Sequence, residues 1–255
     1  MSIFCLGLSH NTAPVELREQ LSFSPSAAKA ALARFGCGRA SRPHGLAEFA
    51  VLSTCNRLEL YACASGDPPA AFRALLDLLT EARGVPPGEL DSHLYRLAEL
   101  DAVQHLCRVA GGLDSMIVGE PQILGQVADA FEAAVGAGAM GAVLSAAFRA
   151  AIRAGKRART ETGIARNPAS VSSVAVHAAE KIVGELKSRR VLVVGAGEMG
   201  ELAVEALRAR GVQQIAVANR TRQRAVELAE KWGGRPLSFE QLAEAMREAD
   251  IVITS

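Results

Sequence analysis

The apolar positions of this chain follow two periods, and each predicts a different kind of element. Short apolar or alternating stretches bounded by turn residues, the pattern of strands, occupy Ile3–Ser9, Glu48–Ser53 and Leu58–Ala64. In the last of these Leu58, Leu60 and Ala62 alternate with Glu59, Tyr61 and Cys63, which predicts a half-buried strand with a solvent face. Helical spacing begins in three places. Asn11 or Thr12 can cap a helix that starts near Pro14, Ser24 can cap one with Pro25 in its first turn, and a third runs from Asp67-Pro68-Pro69 to about Arg83. The order βα(α)ββα predicts a small α+β unit. From Gly88 to about Gly163 almost every residue fits a helical pattern, with breaks near Gly111-Gly112 and Gly136–Gly141.

After Asn167-Pro168 the pattern changes. A helix through Val171–Leu186 and the basic stretch Lys187–Arg190 lead into Val191–Val194, the uninterrupted apolar run of a strand covered on both faces. A glycine-rich turn, a helix to about Arg210, a strand at Ile215–Ala218, helices at Arg222–Trp232 and Phe239–Met246 and a strand at Ile251–Thr254 follow. The fold class expected is α/β in two domains. Residues 1–163 form a small α+β domain with a helical extension. Residues 164–255 form a Rossmann-type parallel-sheet domain that stops before a doubly wound sheet is complete, so the chain reads as truncated.

Composition narrows the function classes. The 255 residues are 49% hydrophobic and 22% charged with a formal net charge of +1, so any nucleic acid must be met by locally gathered basic residues. No apolar run is long enough to span a bilayer and the first ten residues lack a signal-type pattern, which makes no membrane and a cytoplasmic location the expectation. Five cysteines without paired spacing give neither a disulfide framework nor a zinc-type ligand set, so no metal is expected.

Two motifs carry chemistry. Gly195-Ala196-Gly197-Glu198-Met199-Gly200 is a G-x-G-x-x-G turn between a predicted strand and helix, the context in which the motif binds a dinucleotide pyrophosphate at a helix N-terminus. The next strand ends in Asn219-Arg220-Thr221 where an NAD site carries an acid, so the 2′-phosphate of NADP(H) is favoured. The second motif is Thr54-Cys55-Asn56-Arg57, in a tight turn between two strands. Cys55 there is either a small structural residue or a nucleophile whose pKa Arg57 and nearby backbone donors lower. Further along, Arg149, Arg153, Lys156 and Arg157 fall near one helical face close to Arg159; this is either a solvated face or a phosphate-binding surface.

The segments Gly7–Val15, Leu52–Tyr61, Gly111–Gln126 and Lys156–Thr162, with the Gly195–Gly200 loop and Ala218–Thr221, closely resemble glutamyl-tRNA reductase, in the right order over nearly the whole chain. The resemblance implies a catalytic domain, an NADPH domain and a C-terminal dimerisation helix bundle that lies outside this chain. It implies NADPH-dependent reduction of glutamyl-tRNA to glutamate-1-semialdehyde, the first committed step toward 5-aminolevulinate, tetrapyrroles and porphyrins, through a thioester on Cys55, with His105 assisting proton transfer or orienting the ester. Substrate binding falls to Thr54, Asn56, Arg57, Ser115, Glu120, Pro121, Gln122 and Gln126, and charge pairs Glu120 with the substrate ammonium and Arg57 with its carboxylate. His10, His44, His93 and His177 are read as structural. A homodimer and hand-over of product to glutamate-1-semialdehyde aminomutase are expected partners. The competing readings are a small-molecule NADP dehydrogenase of the shikimate-dehydrogenase type and a non-catalytic module that binds tRNA or nucleotide.

Overall fold

The computed structural model describes residues 1–36, 45–165, 171–195 and 197–254. The chain forms two compact units, Met1–Pro168 and Ala169–Ser255. The short 3-10 turn Gly163–Ala165 packs against the last helix of the first unit.

The first unit is built on four strands, β1 (Ser2–Ser9), β2 (Leu46–Ser53), β3 (Arg57–Ala64) and β4 (Tyr95–Ala98), in the antiparallel order β2-β3-β1-β4. Its helices are α1 (Val15–Leu21), α2 (Pro25–Gly36), α3 (Pro68–Arg83), α4 (Pro87–Leu90), α5 (Glu99–Ala110), α6 (Gln122–Gly136) and α7 (Ala142–Glu161). The short β4 lies inside the stretch expected to be helical; four residues are too few to show an alternation.

Ser24 does cap α2, accepting from Ala27 N–H at 3.2 Å. α1 instead begins after Pro14, and Thr12 turns its hydroxyl back to accept from Ser9 N–H at 3.0 Å. The start of α7 is capped from a distance: the buried Glu48 carboxylate of β2 accepts from Val143 N–H at 3.1 Å and Leu144 N–H at 2.6 Å.

Register decides the site. Gly7 of β1 pairs with Glu59 and Ser9 with Arg57, while Tyr95 of β4 pairs with Gly7. Directly opposed residues share a face, so Arg57, Glu59, Tyr61, Cys5 and Tyr95 line one side of the sheet. The expected solvent face of β3 is corrected: all eight of its residues are buried. Helices cover both sides, as Phe4 meets Phe72 of α3 edge-on at 5.4 Å and Tyr61 meets Phe148 of α7 at 5.4 Å. The polar residues of β3 therefore lie inside the domain, where each needs a partner.

The second unit is a parallel sheet of β5 (Arg190–Val194), β6 (Gln214–Ala218), β7 (Arg235–Leu237) and β8 (Ile251–Thr254) in the order β7-β6-β5-β8. α8 (Val171–Val183), α9 (Glu198–Ala209), α10 (Arg222–Lys231) and α11 (Leu242–Glu248) complete it. The run Val191–Val193 is buried on both faces, Val191 and Val193 with Leu207 and Trp232, and Leu192 with Leu237 and Ala245. Among the described residues no helix is long and apolar enough to cross a membrane.

Candidate active site

Cys55 sits at the tip of the β2–β3 hairpin and is the one exposed cysteine among those described. Burial raises the thiol pKa of Cys5, Cys63 and Cys107, and for Cys5 the charge of Glu59 adds to it. Cys37 lies outside the described residues. The turn is tightly tied: Thr54 Oγ1 accepts from Asn56 N–H (3.1 Å) and Arg57 N–H (3.2 Å), and Thr54 N–H donates to Arg57 O (2.9 Å). His10 N–H reaches Asn56 O at 2.9 Å, and Arg18 of α1 donates from Nη1 to Cys55 O at 2.7 Å and Asn56 Oδ1 at 3.1 Å.

Behind the turn lies a network that centres on the fully buried Glu59. Its Oε1 accepts from Arg57 Nη1 (2.7 Å) and Tyr95 Oη (2.6 Å) and lies 2.8 Å from His105 Nε2; its Oε2 accepts from Tyr61 Oη at 2.6 Å. Burial alone would raise the Glu59 pKa, but the bond from His105, the charges of Arg57 and His105 and the bond from Tyr61 outweigh it and bring it to about 2. An ionised carboxylate only accepts, so the geometry assigns a proton to His105 Nε2. Burial pulls the Arg57 pKa down, yet Glu59, Tyr95 and Asp114 more than restore it, and Arg57 stays a cation.

Gly7 makes room for this arrangement: a Cβ there would stand 2.8 Å from the Tyr95 ring and 2.9 Å from Glu59 Cγ. Cys5, Glu59 and His105 present ligand-type atoms within 4.8 Å of one another. The four contacts on Glu59 and the raised Cys5 pKa make that cluster a hydrogen-bond hub, not a vacant metal cage.

Arg57, expected to meet the substrate carboxylate, is engaged within the protein. Its side chain is 1% exposed, bonded to Glu59 and Asp114 Oδ2 (3.3 Å) and to the Asp114 carbonyl, so it fastens β3 to the loop after α5. That loop also carries Ser115, which is buried with a hydroxyl that has no partner among the described residues, and the half-buried Glu120. Arg159 bonds the carbonyls of Gly119 (3.2 Å) and Glu120, which takes it out of the basic set. Pro121 is exposed at the N-cap of α6 and Gln122 begins that helix. Gln126, one turn on, lines a cavity of about 860 Å³ together with Ser53, which immediately precedes the reactive turn.

His10, expected to be structural, is bonded through its backbone to Asn56 of the turn. Its pKa is lowered by burial, then by Arg57 and Arg18, against Asp114 and Glu120. Glu59, Tyr61, Tyr95, Asp114, Arg18 and His10 were not foreseen as site residues. Alternation shows which residues share a face, and only the helix-rich 99–161 hinted that this face is covered. His93 Nδ1 meets Thr12 O at 2.7 Å and His177 stands 3.7 Å from Glu180, ordinary structural contacts; His44 lies outside the described residues.

In the second unit Gly195 follows β5 at φ +106°, a conformation that favours glycine, and its N–H donates to Ala218 O at 2.9 Å. Gly197 is the N-cap of α9, and Gly200 is buried. Ala196 lies outside the described residues; Glu198 and Met199 are in the first turn of α9. Asn219 is half-buried and Arg220 and Thr221 are exposed beyond β6, with Thr221 the N-cap of α10. Among the described residues Arg220 makes no ion pair. The strand–turn–helix fits a pyrophosphate, and the exposed guanidinium and hydroxyl after β6 fit a 2′-phosphate.

An exposed hairpin cysteine backed by a carboxylate–histidine network, in one chain with a Rossmann-type unit, defines a two-unit class that joins thiol chemistry to a dinucleotide fold. Residues 6–162 match the family model described as glutamyl-tRNAGlu reductase, N-terminal domain, and residues 177–255 match that of shikimate / quinate 5-dehydrogenase. The chain belongs to the glutamyl-tRNA reductase family. It is 48% identical over its whole length to glutamyl-tRNA reductase of Rubrobacter xylanophilus and 45% identical to that of Syntrophotalea carbinolica, covering 58% and 56% of those proteins. The solved glutamyl-tRNA reductase of Methanopyrus kandleri matches 99% of the chain and 58% of its own at 38% identity, with a TM-score of 0.59. The chain thus spans less than two thirds of each relative.

Proposed function

We propose that this chain is the catalytic and nucleotide-binding part of an enzyme that reduces glutamyl-tRNA to glutamate-1-semialdehyde with NADPH. The observation that carries the reading is Cys55: exposed at a tied turn, while each other described cysteine is held back by burial.

Cys55 Sγ, as the thiolate, adds to the ester carbonyl carbon; the bond to the tRNA ribose oxygen breaks and that oxygen takes up a proton. His105, with Nε2 tied to Glu59, offers Nδ1 to orient the ester. Ser115, whose buried hydroxyl has no partner among the described residues, and Glu120 bind the glutamyl group, the first as a neutral donor and the second at the ammonium. Thr54 and Asn56 shape the turn, and Gln122 and Gln126 border the approach from α6. When bound, NADPH would supply a hydride to the thioester carbon, with Cys55 leaving as thiolate and the aldehyde released; Gly195, Gly197 and Gly200 would hold its pyrophosphate and Arg220 and Thr221 its 2′-phosphate.

The homodimer, the hand-over of aldehyde to an aminomutase and a cytoplasmic setting complete this reading. The first unit argues against a shikimate-type dehydrogenase, since the match to that family begins only at residue 177. The test is to incubate the full-length protein with charged tRNA and no NADPH and to search for a glutamyl thioester by mass spectrometry. An acyl group on Cys55 is expected; no acyl-enzyme and no aldehyde on adding NADPH would leave a binding module.

A further inference from the structure

Two arginines flank the reactive turn, and their charges differ in what surrounds them. Arg57 is buried and compensated: Glu59 lies at 2.7 Å and Asp114 at 3.3 Å. Arg18 is half-buried on α1 and makes no ion pair among the described residues. Its Nη1 spends its bonds on two uncharged oxygens of the turn itself, Cys55 O and Asn56 Oδ1, which fixes a full positive charge against the residue that carries the thiol. Its buried Nε has no hydrogen-bond partner among the described residues, and within them the side chain is held by the turn and not by a carboxylate. Glu16 and Glu19 of α1 are exposed and pair with neither.

We propose that Arg18 is the residue that positions Cys55 and keeps its thiol ionised for attack on the ester. This goes beyond the reading of Cys55 as nucleophile and rests on it. A cation bonded to the backbone of the cysteine itself favours the thiolate over the thiol, and the thiol proton is released to solvent. The groups facing the turn from other elements are Arg57 and Glu59 of β3, His10 at the end of β1, and Asp114 and Glu120 of the loop after α5. Arg57, Glu59 and Asp114 offset one another through their ion pairs. His10 stands beside the same turn: its backbone is bonded to Asn56, and burial, then Arg57 and Arg18, lower its pKa against Asp114 and Glu120.

The first readout of the test is the thiol itself and requires neither tRNA nor nucleotide. Full-length wild type, Arg18→Lys and Arg18→Gln are alkylated with iodoacetamide across pH, with modification at Cys55 counted by peptide mass spectrometry. Arg18→Gln should move the midpoint for Cys55 up by about one pH unit, leaving roughly tenfold less thiolate below it. Arg18→Lys, which keeps the charge on a shorter side chain without the planar guanidinium, should hold the midpoint within a few tenths while lowering the rate of thioester formation at saturating tRNA. If Arg18→Gln does not fold, salt decides with wild type alone: a partly exposed charge is screened, so the midpoint should rise between low and molar ionic strength. A Cys55 midpoint unmoved in folded Arg18→Gln, or by salt in wild type, overturns the proposal. Loss of aldehyde formation with an unmoved midpoint counts against it equally, whereas persistent aldehyde formation in Cys55→Ser would instead sink the assignment of the nucleophile.

Discussion

At the scale of single residues the decisive feature is a carboxylate hidden where the sequence places a solvent face. Glu59 has four donors in a dry site, and its depressed pKa fixes the sign of a pH effect. A carboxyl whose folded pKa is about 2 against an ordinary 4.5 stabilises the fold fully above the higher value and loses that contribution as pH falls through the lower. Denaturant titrations of the first unit's transition should show stability draining away below about pH 4.5. Glu59→Gln should cost roughly 3–5 kcal/mol at neutral pH, because Arg57 is left buried with half its compensation, and should flatten the acid limb. Gly7→Ala should cost about 1–3 kcal/mol by forcing the Tyr95 ring and Glu59 apart, and should impair His105 function with Cys55 still exposed. An acid limb unchanged by Glu59→Gln would remove this residue from the centre of the network. Cys55 could be read from the chain because a cysteine in a tight turn has few ways to be buried. Glu59 could not, because period-two alternation is blind to what covers each face.

At the scale of elements, helices brought the site residues together from positions that no local pattern links. α5 delivers His105 to β3, and the loop after it returns Asp114 to Arg57. Strong periodicity and proline or glycine punctuation made α3, α6, α7 and β5 legible in the chain. β4 and β7, of four and three residues, were not, because their strand state comes from pairing partners. The long-range cap on α7 was equally hidden: Glu48 acts almost a hundred residues from the helix start it holds. Glu48→Ala should cost about 1–2 kcal/mol of the first unit's stability, read from denaturant midpoints; an unchanged midpoint would mean that water replaces the carboxylate without loss. On the outer side of α7, Arg149, Arg153, Lys156 and Arg157 are all exposed, though Arg157 pairs with Glu161 and Arg149 lies over the Phe131 ring. If this face meets tRNA phosphates, Arg153→Ala with Lys156→Ala should reduce the salt slope of tRNA binding by about two. A slope that stays put would make it a solvated face.

At the scale of the whole molecule the sequence divides its chemistry as it divides its structure. The residues assigned to acyl transfer lie within Met1–Pro168 and those assigned to the nucleotide lie within Ala169–Ser255. Acyl transfer and reduction should therefore fail separately. In the full-length protein Cys55→Ser should bind NADPH with unchanged affinity, form no thioester and make no aldehyde, since an alcohol is mostly protonated where a thiolate is needed. Arg220→Ala should do the reverse. Its exposed guanidinium makes no ion pair among the described residues, so its loss should weaken NADPH about tenfold or more while leaving NADH almost untouched, the difference being one charge-assisted contact to the 2′-phosphate. Thioester formed without nucleotide should accumulate in Arg220→Ala as in wild type, and aldehyde formation should return at high NADPH. Nucleotide titration, acyl trapping and aldehyde release measured on both variants fill a table of six results, each fixed in advance by the location of one residue. Equal losses of NADPH and NADH binding in Arg220→Ala would break the 2′-phosphate assignment. A variant of the second unit that prevents acylation of Cys55 would break the division itself, because it would show that the nucleotide unit takes part in chemistry assigned here to the first.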